Sequence, residues 1–298
     1  MSLQYARVAL LTGVSGFVGA NLARRLMHEG WEVHSVVRDA SRLEEDLQHG
    51  GMKVHAIDGS TQGIIRLMQD VRPTVVFHLA SLFIAEHKPE QVEPLIASNV
   101  LFATQLLEGM KEAGIRYLVN TGTSWQHYEN EAYNPVCLYA ATKQAFEDIA
   151  KYYVEAASLR VVTLQLFDTY GPGDRRQKLF ALLRKAADSG AVLTMSPGEQ
   201  LIDLVHIEDV TKAFLMAADR LVSEQGEPYE VYAVSSGRPL MLRDLVEQYA
   251  KTTGHRPEVV WGGRPYRNRE VMVPWNKGHA VPGWRPTVPL EEGLRSLC

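Results

Sequence analysis

Arg7-Val8-Ala9-Leu10-Leu11-Thr12-Gly13-Val14-Ser15-Gly16-Phe17-Val18-Gly19-Ala20 runs an apolar stretch into three glycines at three-residue spacing and out into a helical pattern. Arg7–Leu11 reads as a short buried strand, and the periodic segment Ala20–Glu29, closed by Gly30, as the helix after it. Glycine suits such a junction: it allows a tight turn, a close backbone approach to a pyrophosphate and close packing of helix on strand. Exposed amides and the positive helix end then hold the anion. Gly13, Ser15, Gly16, Phe17, Val18 and Gly19 are therefore candidate dinucleotide-binding residues, the alternative being a purely structural turn.

The same rhythm continues outward. Glu32–Val37, Lys53–Ile57, Thr74–Leu79, Arg116–Asn120 and Arg160–Leu166 read as further strands, and Ile64–Asp70, Glu90–Ala113 and Ala140–Ala157 as helices between them. Six strands alternating with helices predict an α/β fold, a Rossmann-type doubly wound parallel sheet. After Phe167, Gly and Pro become denser, in Tyr170–Gly173, Ser196–Gly198, Gly262–Pro265 and Pro282–Pro289, while helices persist at Lys178–Ser189, Glu208–Leu221 and Leu242–Thr252. This predicts a dinucleotide-binding domain over 1–166, with segments near 204–235 returning to it, and a smaller α+β substrate-binding domain from 167–203 and 236–298.

Composition narrows the class. With 298 residues, 46% hydrophobic and 22% charged, the chain can bury a core without disulfide or metal staples, which excludes disordered, collagen-like and small disulfide-rich proteins. A net charge of −4 leaves no basic footprint for nucleic acid. Cys137 and Cys298 cannot build a disulfide framework and fit a reducing compartment. The longest apolar stretch, Thr74–Ala85, is short and contains His78 and Ser81, so no membrane span is expected. The run Val8–Leu11 behind Arg7 is too short for a signal peptide, so the expected location is the cytoplasm. His78 reads as a packed strand-end residue; no ligand cluster accompanies it and no metal is expected.

Cofactor choice turns on the end of the second strand, where an acid would bind a ribose 2′-hydroxyl and an arginine a 2′-phosphate. Val36-Val37-Arg38-Asp39 offers both; Arg38, directly after the strand, favours NADP(H), with NAD(H) as the other possibility. Asp58-Gly59 could reach the adenine. Further along, Tyr139-Ala140-Ala141-Thr142-Lys143 puts a tyrosine and a lysine on one face at the start of a helix. A free phenol, with a pKa near 10, is a poor catalyst at neutral pH, and a nearby ammonium would lower it. Thr123, 16 residues before Tyr139, supplies a hydroxyl that can hold the oxygen the tyrosine protonates.

Taken together with His78-Leu79-Ala80-Ser81, Asn99, Tyr170-Gly171-Pro172-Gly173 and His206-Ile207-Glu208-Asp209-Val210, these motifs stand in the order seen in extended short-chain dehydrogenases/reductases, the NAD-dependent epimerase/dehydratase family, and the resemblance covers nearly the whole chain. It implies Thr123, Tyr139 and Lys143 as the catalytic triad, Lys143 also holding the nicotinamide ribose. It implies Leu79, Ala80, Ser81, Asn99 and Thr121 along the cofactor groove, nucleotide-diphospho-sugar substrates, and a homodimer formed through Glu90–Ala113 and Ala140–Ala157.

Departures from the family pattern narrow the expectation. Ser124-Trp125 replaces the Asp-Glu pair with which the 4,6-dehydratases eliminate water, so dehydration is not expected. Gln165 and Asp168 stand where Arg and Asn are usual, and Ile202 stands where an Arg precedes Asp203, so other cations must meet the diphosphate. Guanidinium forks suit phosphate oxygens; Arg175, Arg176 and Lys178 after the Gly-Pro-Gly turn, and Arg264, Arg267 and Arg269 near the C-terminus, are the candidates. Phe83, Ser124, Trp125, His127, Tyr128 and Asp168 follow strand ends and could contact the sugar. Phe167-Asp168-Thr169-Tyr170, Gly198–Asp203 and Pro265-Tyr266-Arg267 are similar to the CDP-4-keto-6-deoxyhexose reductases of the abequose and paratose synthase type. The expected activity is NADPH-dependent reduction of a nucleotide-linked 4-keto-6-deoxyhexose. The alternatives are a sugar-nucleotide C4 epimerase with tightly bound NAD, and a non-catalytic dinucleotide sensor.

Overall fold

The computed structural model describes residues 7–297, so Cys298 lies outside the described residues. Strands β1 (Val8–Thr12), β2 (Glu32–Val37), β3 (Lys53–Ala56), β4 (Val75–His78), β5 (Tyr117–Thr123) and β6 (Arg160–Leu166) join a seventh, Tyr229–Val234, in one sheet. Across it the order is Tyr229–Val234, β6, β5, β4, β1, β2, β3, and every pairing is parallel. Side chains alternate between faces, as a strand requires. Ala9, Leu11, Val75, Phe77, Val119 and Val162 face one core with Leu22, Leu26 and Phe214 of the helices Phe17–His28 and Ile207–Val222. Leu10, Val76, Leu118 and Val161 face the opposite core with Ile64, Leu106 and Phe146 of the helices Thr61–Val71, Phe102–Ala113 and Leu138–Ala157. Both faces are covered, which is why the strands read as continuous apolar runs. The chain leaves β1 toward β2 on one side and returns to β4 on the other, so a crevice opens beyond the carboxyl ends of β1 and β4.

Two helices differ from the periodicity. The first begins at Phe17, not Ala20, because Gly19 lies within its opening turn. The long helix expected over Glu90–Ala113 is broken into Val92–Ile96, a π-helical turn at Ala97–Leu101, and Phe102–Ala113. Side-chain periodicity carries no mark of such a local change in hydrogen bonding, and π turns frequently accompany functional sites. Beyond β6, short strands pair as Asp168–Tyr170 with Leu204–His206, Leu201–Ile202 with Leu240–Met241, and Leu193–Thr194 with Val259–Val260. Here Leu183, Leu242, Leu245, Tyr249 and Leu294 form a separate core.

Candidate active site

The glycine turn is built as tightly as its sequence implies. Gly13 has φ +79°, and a Cβ there would stand 2.6 Å from the Ala80 nitrogen; at Gly19 a Cβ would stand 2.2 Å from the Gly13 carbonyl oxygen. Gly16 caps the helix Phe17–His28, and no side-chain cap there meets the opening amides. Thr12, at the end of β1, accepts from the amides of Leu79 (3.2 Å) and Ala80 (3.1 Å), and its hydroxyl lies 2.9 Å from Nδ1 of His78. Burial, with a smaller push from Lys143, lowers the His78 pKa to about 3, so the ring is neutral and can accept that proton. Leu79 and Ala80 are thereby fixed beside Gly13.

At the end of β2, Arg38 is exposed, and among the described residues it makes no hydrogen bond or ion pair. Asp39 caps the turn Ala40–Arg42, its carboxylate accepting from the amide and hydroxyl of Ser41 at 3.0 and 2.7 Å. Asp58 likewise caps its own turn through Ser60, and Gly59 has φ +78°. Asn99, in the π turn, is buried, and its amide is spent inside the protein: it accepts from the Leu82 amide and the Ser81 hydroxyl and donates to the Leu82 carbonyl and Thr142. It ties the loop after β4 to the helix carrying Tyr139 and Lys143, a supporting position and not an open groove contact. Thr121 Oγ1 is buried without a partner.

Thr123 ends β5 and caps the 3₁₀ turn Ser124–Gln126, accepting from the Trp125 amide at 3.3 Å while its own amide donates to Gln126. Tyr139 and Lys143 share the first turns of Leu138–Ala157, with the Lys143 ammonium 5.9 Å from the Tyr139 ring centre. The expectation that this ammonium makes the phenol acidic needs correcting for the chain without ligands. Burial pushes the Tyr139 phenol well above its ordinary range, and nearby Cys137 adds to the effect against a weaker pull from Ser81. The same burial lowers Lys143 to about 8, with Glu147 pulling the other way. At this separation, desolvation outweighs the attraction between the pair.

A cavity of about 1090 Å³ is lined by Phe83, Ser124, Trp125, Asp168, Arg175, Lys178 and Arg267 among others; Thr123, Tyr139 and Lys143 do not line it, and Phe83, packed on Tyr139, and Ser124, next to Thr123, connect it to them. Arg264 is exposed and does not line it. The Phe83 ring meets Tyr139 edge-on at 5.0 Å and Trp125 at 5.5 Å, and it carries the Lys178 ammonium at 5.7 Å. Asp168 is raised above the usual carboxylate range by desolvation, against Lys178, Arg176 and Arg267, and desolvation also lowers Lys178. Arg267 pairs with Glu270 and lies over Trp125; Arg176 pairs with Asp174 and lies over Phe17; Arg175 reaches Glu44 at 3.6 Å. Among the described residues no group of three or more His, Cys, Asp or Glu could hold a metal, and no helix is long and apolar enough to cross a membrane.

Several contributors escaped the sequence reading. Trp275 stacks on His127 at 3.9 Å and parallel to Phe167 at 6.4 Å, completing an aromatic cavity wall from a segment far along the chain. Gln126 and Glu147 form a buried polar cluster behind Thr123 and Lys143; the available signal was a glutamate on the face of the helix that also carries Tyr139 and Lys143.

Comparison with known proteins agrees with this geometry. The family model described as "NAD dependent epimerase/dehydratase family" matches residues 9–233. The chain is 25% identical to a UDP-glucuronate 4-epimerase of Thermodesulfobacterium geofontis, covering 96% of this chain and 93% of that protein. It is 24% identical to the CDP-abequose synthase of Salmonella typhimurium, covering 97% and 96%. Among solved structures, MoeE5 in complex with UDP-glucuronic acid and NAD superposes with a TM-score of 0.83 at 26% identity, covering 97% of each chain.

Proposed function

The chain belongs to the NAD dependent epimerase/dehydratase family, and from that premise we propose that it is an NADPH-dependent reductase of a nucleotide-linked 4-keto-6-deoxyhexose. The observation that carries this reading is Arg38, an unpaired guanidinium at the tip of β2 where a 2′-phosphate would lie, while the neighbouring acid Asp39 is engaged as a cap. Cofactor that carries the extra phosphate serves reactions that consume reducing equivalents, and a reductase is such a reaction.

The residues present fit a dinucleotide. Backbone at Gly13 and Gly19 is packed too closely for any side chain, the helix at Gly16 lacks a side-chain cap, and among the described residues Thr121 Oγ1 is buried without a partner and the Lys143 ammonium makes no ion pair. The turn Gly13–Gly19 would hold the pyrophosphate, Arg38 the 2′-phosphate, and Lys143 the nicotinamide ribose. When bound, the cofactor supplies hydride chemistry, which is its own and not the protein's. Tyr139 gives its phenolic proton to the sugar's C4 oxygen as that carbon is reduced. Thr123 holds the same oxygen by hydrogen bond, and Lys143 orients both ribose and phenol. Phe83, Trp125 and Trp275 offer flat apolar surface to the sugar, and Arg175, Lys178 and Arg267 offer cations to the diphosphate.

The relatives support a second reading, a UDP-sugar C4 epimerase with tightly held NAD, because a UDP-glucuronate 4-epimerase and NAD-bound MoeE5 stand beside the abequose synthase among them. An NADPH-oxidation screen over CDP-, dTDP-, GDP- and UDP-4-keto-6-deoxyhexoses separates the two. Oxidation with one of them supports the reductase; none, together with NAD released from the denatured protein, supports the epimerase. We also propose a homodimer, since Val92, Ile96, Leu101 and Tyr152 expose apolar surface on the helical segments 92–113 and 138–157. Sedimentation of wild type and Tyr152→Glu tests it, with the variant expected to run as a monomer.

A further inference from the structure

We propose that Glu147 is a positioning residue for Lys143: a buried, clamped carboxylate, one helical turn further along the same face, that keeps the Lys143 amine charged. The proposal rests on the reading of Lys143 as the residue that orients ribose and phenol.

Lys143 and Glu147 are each only 3% exposed. A charge taken out of water needs a counter-charge or hydrogen bonds, and a carboxylate needs donors. Glu147 has two: Gln126 Nε2 donates to one carboxylate oxygen at 2.9 Å, and the Tyr229 hydroxyl to the other at 3.1 Å. Those donors come from the turn after β5 and from the last strand of the sheet, so the carboxylate is held from two directions besides its own helix. Gln126 also accepts from the Thr123 amide at 3.0 Å. One side chain therefore links the Thr123 backbone to the Glu147 carboxylate, which the Gly122 backbone approaches so closely that a Cβ there would stand 3.0 Å from Oε1.

The ammonium itself makes no hydrogen bond or ion pair among the described residues. The groups that act on it are Tyr139 and Glu147 on its own helix and neutral His78 from β4. Burial raises the Glu147 carboxyl above its ordinary range, and it is opposed by the hydrogen bonds from Gln126 and Tyr229 and by the charges of His127 from the turn after β5 and Lys151 on its own helix. Among the described residues, Glu147 is thus the carboxylate that acts on Lys143. Burial favours the neutral amine, and Glu147 opposes it.

The test titrates Lys143 by NMR of [13C]lysine-labelled, cofactor-free protein, the resonance being assigned with Lys143→Arg. Glu147→Gln keeps the shape of the side chain and removes its charge; Tyr229→Phe removes one hydrogen bond and keeps the charge. In Glu147→Gln the Lys143 midpoint is expected to fall by about 1–2 pH units, the size of effect for an opposite charge a few ångströms away. In Tyr229→Phe it should move by much less. The high-pH limb of NADPH oxidation should fall with it in Glu147→Gln. An unchanged Lys143 midpoint overturns the proposal. Should Glu147→Gln fail to fold, the wild-type [13C]glutamate titration decides: Glu147 must be ionised across the range in which Lys143 titrates, and a protonated Glu147 at neutral pH refutes the idea. A shifted midpoint in a protein that fails to oxidise NADPH with any of the panel sugars would leave Glu147's role standing and remove the reductase reading instead.

Discussion

Gly19→Ala sets two effects of known sign against each other. Gly19 lies in the first turns of a helix, and its φ is not in the left-handed region. On propensity alone, alanine would stabilise by about 1 kcal/mol. The added methyl, however, would stand 2.2 Å from the Gly13 carbonyl oxygen and 2.7 Å from its carbon. Ordinary carbon contacts lie near 3.5–4.0 Å, so the helix and the turn must separate by roughly 1 Å. The obstacle is backbone, which no rotamer change can move aside. Overpacking of this kind costs about 1–3 kcal/mol, enough to cancel the propensity gain and leave the variant less stable by up to about 2 kcal/mol. The displaced turn also pulls the Gly13 end away from the pyrophosphate, and an error of that size in a positioned site costs on the order of 10²-fold. Urea unfolding followed by circular dichroism reads the first effect, and NADPH fluorescence titration the second. A variant about 1 kcal/mol more stable than wild type with unchanged NADPH affinity would refute the reasoning, because it would mean that nothing presses on this glycine.

Tyr139→Phe should retain dinucleotide binding but lose on the order of 10²–10⁴-fold in turnover, as for a missing general acid; unimpaired turnover would exclude Tyr139 as proton donor. Arg38→Ala should weaken NADPH binding at least about tenfold, the scale of a charge-assisted hydrogen bond, while sparing NADH; equal losses for both cofactors would dissociate Arg38 from the 2′-phosphate. Asp209→Ala removes a buried carboxylate that accepts from the Thr287 amide and hydroxyl and the Val288 amide at 2.7–3.0 Å, so about 2–4 kcal/mol of stability should go with it in a denaturant melt. Glu32, held at about pKa 2 by Lys53 and then by His34, binds its proton less readily when folded. Its contribution is therefore present above the unfolded value near 4.3 and lost as pH falls toward 2. The gap in urea midpoint between wild type and Glu32→Gln should close over that window, and a gap constant from pH 5 to pH 2 would contradict the assignment.

The first half of the chain was legible because its signals are local. Strand, glycine turn and helix around Gly13–Gly19 follow one another in sequence, as do Tyr139 and Lys143 a helical turn apart. β2 and β6 fall on the bounds that their apolar runs predict. What was not legible depends on contacts between distant segments or on hydrogen bonding that leaves side-chain pattern unchanged. The π turn is one case: it buries Asn99 and lets its amide fasten the loop after β4, so a residue expected along the groove serves as a support. Trp275 is another, since nothing in its own neighbourhood says that it stacks on His127. The basic C-terminal segment shows the limit of composition, because Arg267 lines the cavity and Arg264, three residues earlier, does not.

Burial reorders the protonation of Tyr139 and Lys143. In water, lysine holds its proton slightly more tightly than tyrosine does. Here desolvation acts on both with opposite results, because it penalises the anion that tyrosine becomes and the cation that lysine already is. Tyr139 is pushed up and Lys143 down to about 8, so the order inverts, and the first proton to leave as pH rises is the lysine's. A phenol pushed up in this way keeps its proton but is a weaker acid than free tyrosine, so giving that proton to a ketone oxygen also calls for positive charge beside it. An enzyme that begins by oxidising an alcohol needs that phenol ionised, and must find further positive charge to ionise it. Burial of the pair therefore makes the charge on Lys143 matter to Tyr139 in either direction, and it makes that charge depend on the Glu147 carboxylate one turn along the helix.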